Sequence, residues 1–175
     1  VVLIRNILLI LLVSGCTGKL AGQDSTSHKL AFSLSYHYGF LIAHRPMVVP
    51  MQKDKMNALE GNIILRSDGS KEWQRAYGNP EIGLAIGYWN IGNQEQLGYG
   101  LTAIPFIDFP LTKGKKNSFN LKFGWGIGYI EKKFDADDNY KNIAIGSHVN
   151  CALTIQPKFQ ITLSDHLKFG AGISI

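Results

Sequence analysis

No run of ~18 or more apolar residues occurs in this 175-residue chain, so nothing in it reads as a membrane-spanning helix. Cysteine is nearly absent. The two present are Cys16 and Cys151, and the first lies in the N-terminal segment, which leaves no internal disulfide framework. Metal-ligand spacings such as CxxC or HExxH are missing, so no metal and no cofactor is expected. Charge of one sign is not concentrated either. The net charge is +5, but the basic residues form no helical stripe with interleaved aromatics, which argues against nucleic acid. Lys113, Lys115 and Lys116 read as ordinary turn solvation, and the net charge reads first as a solvated surface, with a phosphate-rich partner as the sharper alternative. What the chain does have is glycine, nineteen in all, and aromatics: three Trp, seven Tyr and nine Phe.

Residues 1–22 read as an export signal. Arg5 gives a short positive region, and Ile7 to Val13 form an unbroken apolar core too short to cross a bilayer. Two cleavage readings stand side by side. Val13-Ser14-Gly15-Cys16 fits a lipoprotein box with Cys16 as the lipidated N-terminus, whereas cleavage after Gly22 leaves Gln23 first. Residues 23–175 then form one domain, long enough for one closed core.

From Lys29 onward the sequence has a period of two. Phe32, Leu34, Tyr36, Tyr38, Phe40 and Ile42 share one face, opposite Ala31, Ser33, Ser35, His37 and Gly39. Ile63 and Leu65 mark a weaker second strand. Ile82, Leu84, Ile86 and Tyr88 mark a third, and Leu97, Tyr99, Leu101, Ala103 and Ile107 a fourth. The fifth sets Phe119, Leu121, Phe123, Trp125, Ile127 and Tyr129 against Asn120, Lys122, Gly124, Gly126 and Gly128. A sixth runs from Val149 to Leu163 and a seventh from Leu167 to Ile175. Several of these runs reach ~10 residues or more, longer than the usual strand of a soluble sheet and suited to a tilted bilayer crossing.

A soluble sandwich also alternates, so alternation alone does not decide. A second face made of Gly, Ser, Thr, Asn, Gln and Lys suits a narrow polar interior, and aromatics near strand ends suit interfacial girdles. The expected fold is therefore all-β: an antiparallel, up-and-down, eight-stranded transmembrane β-barrel in the outer membrane of a Gram-negative bacterium. Short turns are expected at 112–118 and at Ser164-Asp165, and a long loop at 131–147; the 67–80 connection is long for its side. About seven strands are present, an even number closes such a barrel, and the eighth is expected after Ile175.

Several segments carry a family resemblance. They are Tyr38-Gly39-Phe40-Leu41-Ile42-Ala43-His44, Tyr77-Gly78-Asn79-Pro80-Glu81-Ile82-Gly83, Pro105-Phe106-Ile107-Asp108-Phe109-Pro110-Leu111, Gly126-Ile127-Gly128-Tyr129 and Asn139-Tyr140-Lys141-Asn142-Ile143-Ala144-Ile145-Gly146-Ser147-His148. In order and spacing they resemble the PagL-like lipid A 3-O-deacylases, or acyloxyacyl hydrolases, of the Bacteroidetes type, across residues 36–175. The resemblance implies a carboxylic ester hydrolase that removes an acyl chain from lipid A, with lipopolysaccharide as substrate. It implies a serine activated by a histidine two residues before it, an acidic residue orienting that histidine, and amides stabilising the oxyanion. No metal or other cofactor is implied. His-x-Ser-Asn occurs nowhere in the 175 residues, so no catalytic residue is assigned in this chain; the motif is expected beyond Ile175.

Other candidates read as bystanders. Ser147 and His148 are adjacent and so point to opposite faces of a strand. His37 faces the interior as a packing residue. His44 falls in a surface loop where lipid phosphates are an alternative contact, and His166 follows a turn. Asp135, Asp137 and Asp138 do not make an EF-hand and read as loop solvation. Arg66, Lys71 and Arg75 are candidates for head-group contact that the sequence does not single out. Cys151 reads as a small hydrophobe facing outward. The rival to the enzyme is a non-enzymatic small barrel of structural or adhesive role, or an inactive homologue.

Overall fold

The computed structural model describes residues 30–43, 46–114 and 116–175. The export-signal readings, including Cys16 and Gly22, lie outside the described residues, as do His44 and Lys115. Seven strands follow one another: β1 Leu30–Gly39, β2 Met56–Leu65, β3 Glu81–Asn90, β4 Tyr99–Lys113, β5 Asn117–Ile130, β6 Val149–Ser164 and β7 Leu167–Gly172. They make one sheet in strict sequence order, every neighbour antiparallel. The sheet curls into a half-barrel, with β1 at one edge and β7 at the other. The β6 ladder runs on past β7: Ile173 N donates to Pro157 O, and Ile155 and Ile175 exchange backbone bonds of 2.8 and 3.0 Å.

The curl sorts the side chains by parity. Phe32, Leu34, Tyr36 and Tyr38 of β1, Ile86 and Tyr88 of β3, Trp125 and Ile127 of β5, and Val149 and Leu153 of β6 point outward and are exposed. Cross-strand register lines up Tyr36, Leu59, Tyr88, Leu101 and Tyr129 as one row near the upper ends of the strands. Tyr99 stacks on Tyr88 at 5.7 Å between ring centroids and lies 6.5 Å from Tyr129. A second aromatic group lies near the lower ends, where Phe119 pairs with Phe159 and Tyr77 meets Phe109 edge-on at 6.0 Å.

The inner face is narrower because it is built on glycine. A Cβ on Gly83 would strike the ring of Phe106, and one on Gly87 would lie 2.5 Å from the indole nitrogen of Trp89. These glycines let Phe106 and Trp89 lie flat over the backbone. Ala85, Ile104 and Phe106 form a buried apolar cluster here, packed with Ile64 and Ala152. The inner face of β4 is thus partly apolar, whereas alternation suggested small and polar residues there. Leu97 also departs from expectation: it precedes β4 and is buried among the upper loops rather than facing outward.

Connections differ at the two ends. At the lower end β4 and β5 are joined by a short connection, as the sequence suggested, and the turn between β6 and β7 is tight, at Asp165-His166, one residue on from the expected Ser164-Asp165. The long lower connection at 66–80 has a structural reason: it holds a short helix, α1, Glu72–Ala76. Lys71 N donates to Gln74 Oε1 at its start, and Gly78 (φ 71°) and Asn79 (φ 59°) take left-handed backbone at its end before Pro80. Pro110 has no N–H to give the ladder, and the β4–β5 register shifts between Pro110 and Thr112.

Candidate functional site

Two groups of polar side chains stand out, one inside the curl and one over its upper end. Inside, Glu60 and Asn62 project from β2 and Lys122 from β5, three strands further on. Lys122 Nζ donates to Glu60 Oε1 at 2.7 Å and to Asn62 Oδ1 at 2.9 Å, and lies 4.3 Å from the centroid of Phe106. Both charged side chains are almost wholly buried, at 3% and 4% exposure, so each needs the other. His37 of β1 stands 3.9 Å from Glu60 Oε2, beyond hydrogen-bond reach, and packs on the Trp89 ring at 5.2 Å. Trp89 Nε1 in turn donates to Thr102 Oγ1 at 2.9 Å. Lower down, Lys158 of β6 pairs with Asp108 Oδ2 of β4 at 2.5 Å, while the buried Asp108 Oδ1 and Asn120 Oδ1 accept no hydrogen bond.

Over the upper end, three loops are tied into a cap. Val48, Met51 and Leu97 form its buried centre, with Leu41, Ala43, Ile91 and Ile145 packed around them. Buried asparagines supply the polar ties. Asn93 Nδ2 donates to Met51 O and Gln96 Oε1, both at 3.1 Å. Asn142 Nδ2 donates to Gln96 O and Lys132 O, both at 2.9 Å. Asn139 Nδ2 reaches Gln96 O and Lys133 O, and Lys132 Nζ donates to Gln94 O and Glu95 O. Lys53 pairs with Glu95 across two of these loops, and that hydrogen bond and charge hold the Glu95 carboxyl below its ordinary range. A cleft of about 320 Å³ opens beside the cap, lined by Glu95, Glu131, Lys132, Asp135, Asp138 and His148 among others.

The residues singled out in the sequence fall mostly outside these groups. Ser147 Oγ donates to Val149 O, and His148 Nδ1 lies 3.0 Å from Ile130 O while its ring stacks on Tyr129 at 5.6 Å. The adjacent Ser–His pair is therefore spent on backbone contacts and does not form a nucleophile and base. The Asp135 carboxylate is spent too, accepting from the backbone N–H of Asp137 and Asp138, and those bonds lower its pKa. Among the described residues no group of three or more metal-ligating side chains comes together. Arg75 folds back onto Gly69 O and Ser70 O. Arg66 and Lys168 lie 3.9 and 3.7 Å from Glu81, and His166 is exposed. Cys151 is outward and exposed, accepting a hydrogen bond from Trp125 Nε1 at 2.6 Å.

Sequence reasoning placed Lys122 on the inner face but did not find Glu60 as its partner, nor the pairing of Lys158 with Asp108. Parity gives the face of a residue but not which strand lies opposite across the curl. A charged residue flanked by strand residues on the inner face was the available signal. No family model, curated protein or solved structure matches the chain.

Proposed function

We propose that the chain forms an eight-stranded barrel in the outer membrane, with the eighth strand between the edges of β1 and β7, and that the barrel hydrolyses an acyl ester of lipid A. One observation carries the membrane part. Ten residues separate outward Phe119 from outward Tyr129 on β5; at ~3.3 Å each and a tilt of about 40° they rise roughly 25 Å, the height of the apolar band of such barrels. Between the aromatic rows the outward face is apolar on strand after strand. No helix among the described residues is long and apolar enough to cross a bilayer, so in this reading the described residues cross with their strands.

The enzymatic part rests on the sequence resemblance to the PagL-like deacylases. A serine and histidine on an outer strand segment would face the glycolipid at the bilayer surface, with the substrate acyl chain along the apolar wall. The second reading is a non-enzymatic barrel, in which Ser147 and His148 serve only their backbone contacts to Val149 O and Ile130 O. Mass spectrometry of lipid A from cells expressing the complete protein distinguishes them. Loss of one acyl chain, abolished by replacing the serine of a His-x-Ser motif, supports the hydrolase. Unchanged lipid A with the protein folded in the membrane leaves the structural barrel.

A further inference from the structure

We propose that the Lys122–Glu60 pair is a latch across the barrel interior that shuts the lumen to small inorganic ions. The inference rests on the membrane-barrel reading and adds a property that neither the hydrolase nor its structural rival requires. Glu60 and Lys122 lie 62 residues apart, with β3 and β4 between their strands, yet their side chains meet at 2.7 Å. The contact therefore runs over the hollow of the curl rather than along the sheet.

The surroundings make this pair the closing element. Glycines at 83, 87, 124 and 126 have no room for a Cβ, so the walls are already filled close to the backbone by Phe106, Trp89 and Ile104. Above the pair, His37 packs on Trp89, whose indole is fixed to Thr102; below it, Lys158 reaches Asp108. The Lys122 ammonium is held by Glu60, Asn62 and the Phe106 ring together. Aliphatic side chains of similar volume would fill the same space without buried charge. Charge here does something aliphatics do not: losing one partner leaves the other to recruit water, and hydrated charge in a narrow tube carries ions.

The test is conductance of the complete protein in planar lipid bilayers bathed in potassium chloride. The wild type is expected to insert without current steps. Lys122→Met and Glu60→Gln are expected to give discrete steps with an open fraction at least about tenfold higher, a factor equal to ~1.4 kcal/mol. The double variant with Glu60→Lys and Lys122→Glu restores the pair and is expected to be silent again. Single variants that are folded and silent, or a folded double variant that conducts like them, overturn the latch. If the single variants fail to fold, a double variant that folds and stays silent supports it, and one that also fails overturns it. A wild type that inserts and conducts as freely as the single variants removes the latch alone. A wild type that never enters the bilayer removes the membrane reading, and the latch with it.

Discussion

Lys122 is buried, charged and held by three partners, and this changes what a substitution there means. Removing one member of such a pair strands the other, at a cost of about 3–5 kcal/mol. Glycine at Gly126 is equally constrained for a steric reason. A Cβ there would run into the carbonyl oxygen of Ala103 and lie 2.8 Å from Ile104 Cα, both backbone atoms that cannot swing aside. Gly126→Ala is therefore expected to destabilise the folded protein by roughly 1–3 kcal/mol. Gly39→Ala, whose added carbon meets nothing within 4 Å, is expected to be close to neutral. Urea titration followed by the mobility difference between folded and unfolded protein on a gel compares the two directly.

At the scale of elements, the cap behaves as a unit because its loops share few but buried ties. Asn142 has no exposed surface and joins the carbonyls of Gln96 and Lys132. Asn142→Ala leaves both carbonyls without that donor, a loss of about 1–3 kcal/mol. Faster protease cleavage within residues 131–148 is the expected result, with strand amide exchange unchanged. The Lys53–Glu95 tie adds a pH dependence whose sign follows from the lowered carboxyl pKa. Its contribution is complete above the ordinary carboxylate value and disappears as pH falls through the lowered one. Lys53→Ala is expected to move the Glu95 titration to higher pH, read from its carboxyl carbon shift. Most strands were legible from the sequence because a period of two runs through them, from Phe32 through Phe169; β2 was legible only at Ile63 and Leu65, since Asn57 and Gly61 interrupt its outward apolar face. The cap was not legible. Leu97 continues the alternation of β4 and so looks like a strand residue, and Asn93 and Asn142 differ in nothing local from solvated loop asparagines. Their burial comes from loops far apart in sequence. The inner network was half legible, since parity assigned Lys122 to the interior without identifying Glu60.

For the whole molecule, the decisive property is the reversal of inside and outside: apolar residues outward, charges within. Two tryptophans report on it. Trp125 faces outward at 68% exposure, and Trp89 is turned inward to Thr102. In variants keeping one tryptophan at a time, lipids brominated on their acyl chains are expected to quench Trp125 strongly and Trp89 weakly. Equal quenching, or none for Trp125, would count against a bilayer location. The same reversal explains why composition alone concealed the architecture: apolar and polar residues alternate so evenly that their average is unremarkable.

The strict sequence order of the strands also has a consequence for how the chain is assembled. Each hairpin can form as soon as its two strands exist, and bringing near neighbours together costs little chain entropy. Only the joining of Lys122 to Glu60, across 62 residues, demands a long excursion. At the edge of the sheet β1 offers unpaired backbone along one side beside Phe32, Leu34 and Tyr36, the combination that recruits foreign strands. That edge is thus where the sheet is stickiest while the chain assembles, and keeping it covered is what keeps one copy from pairing with another.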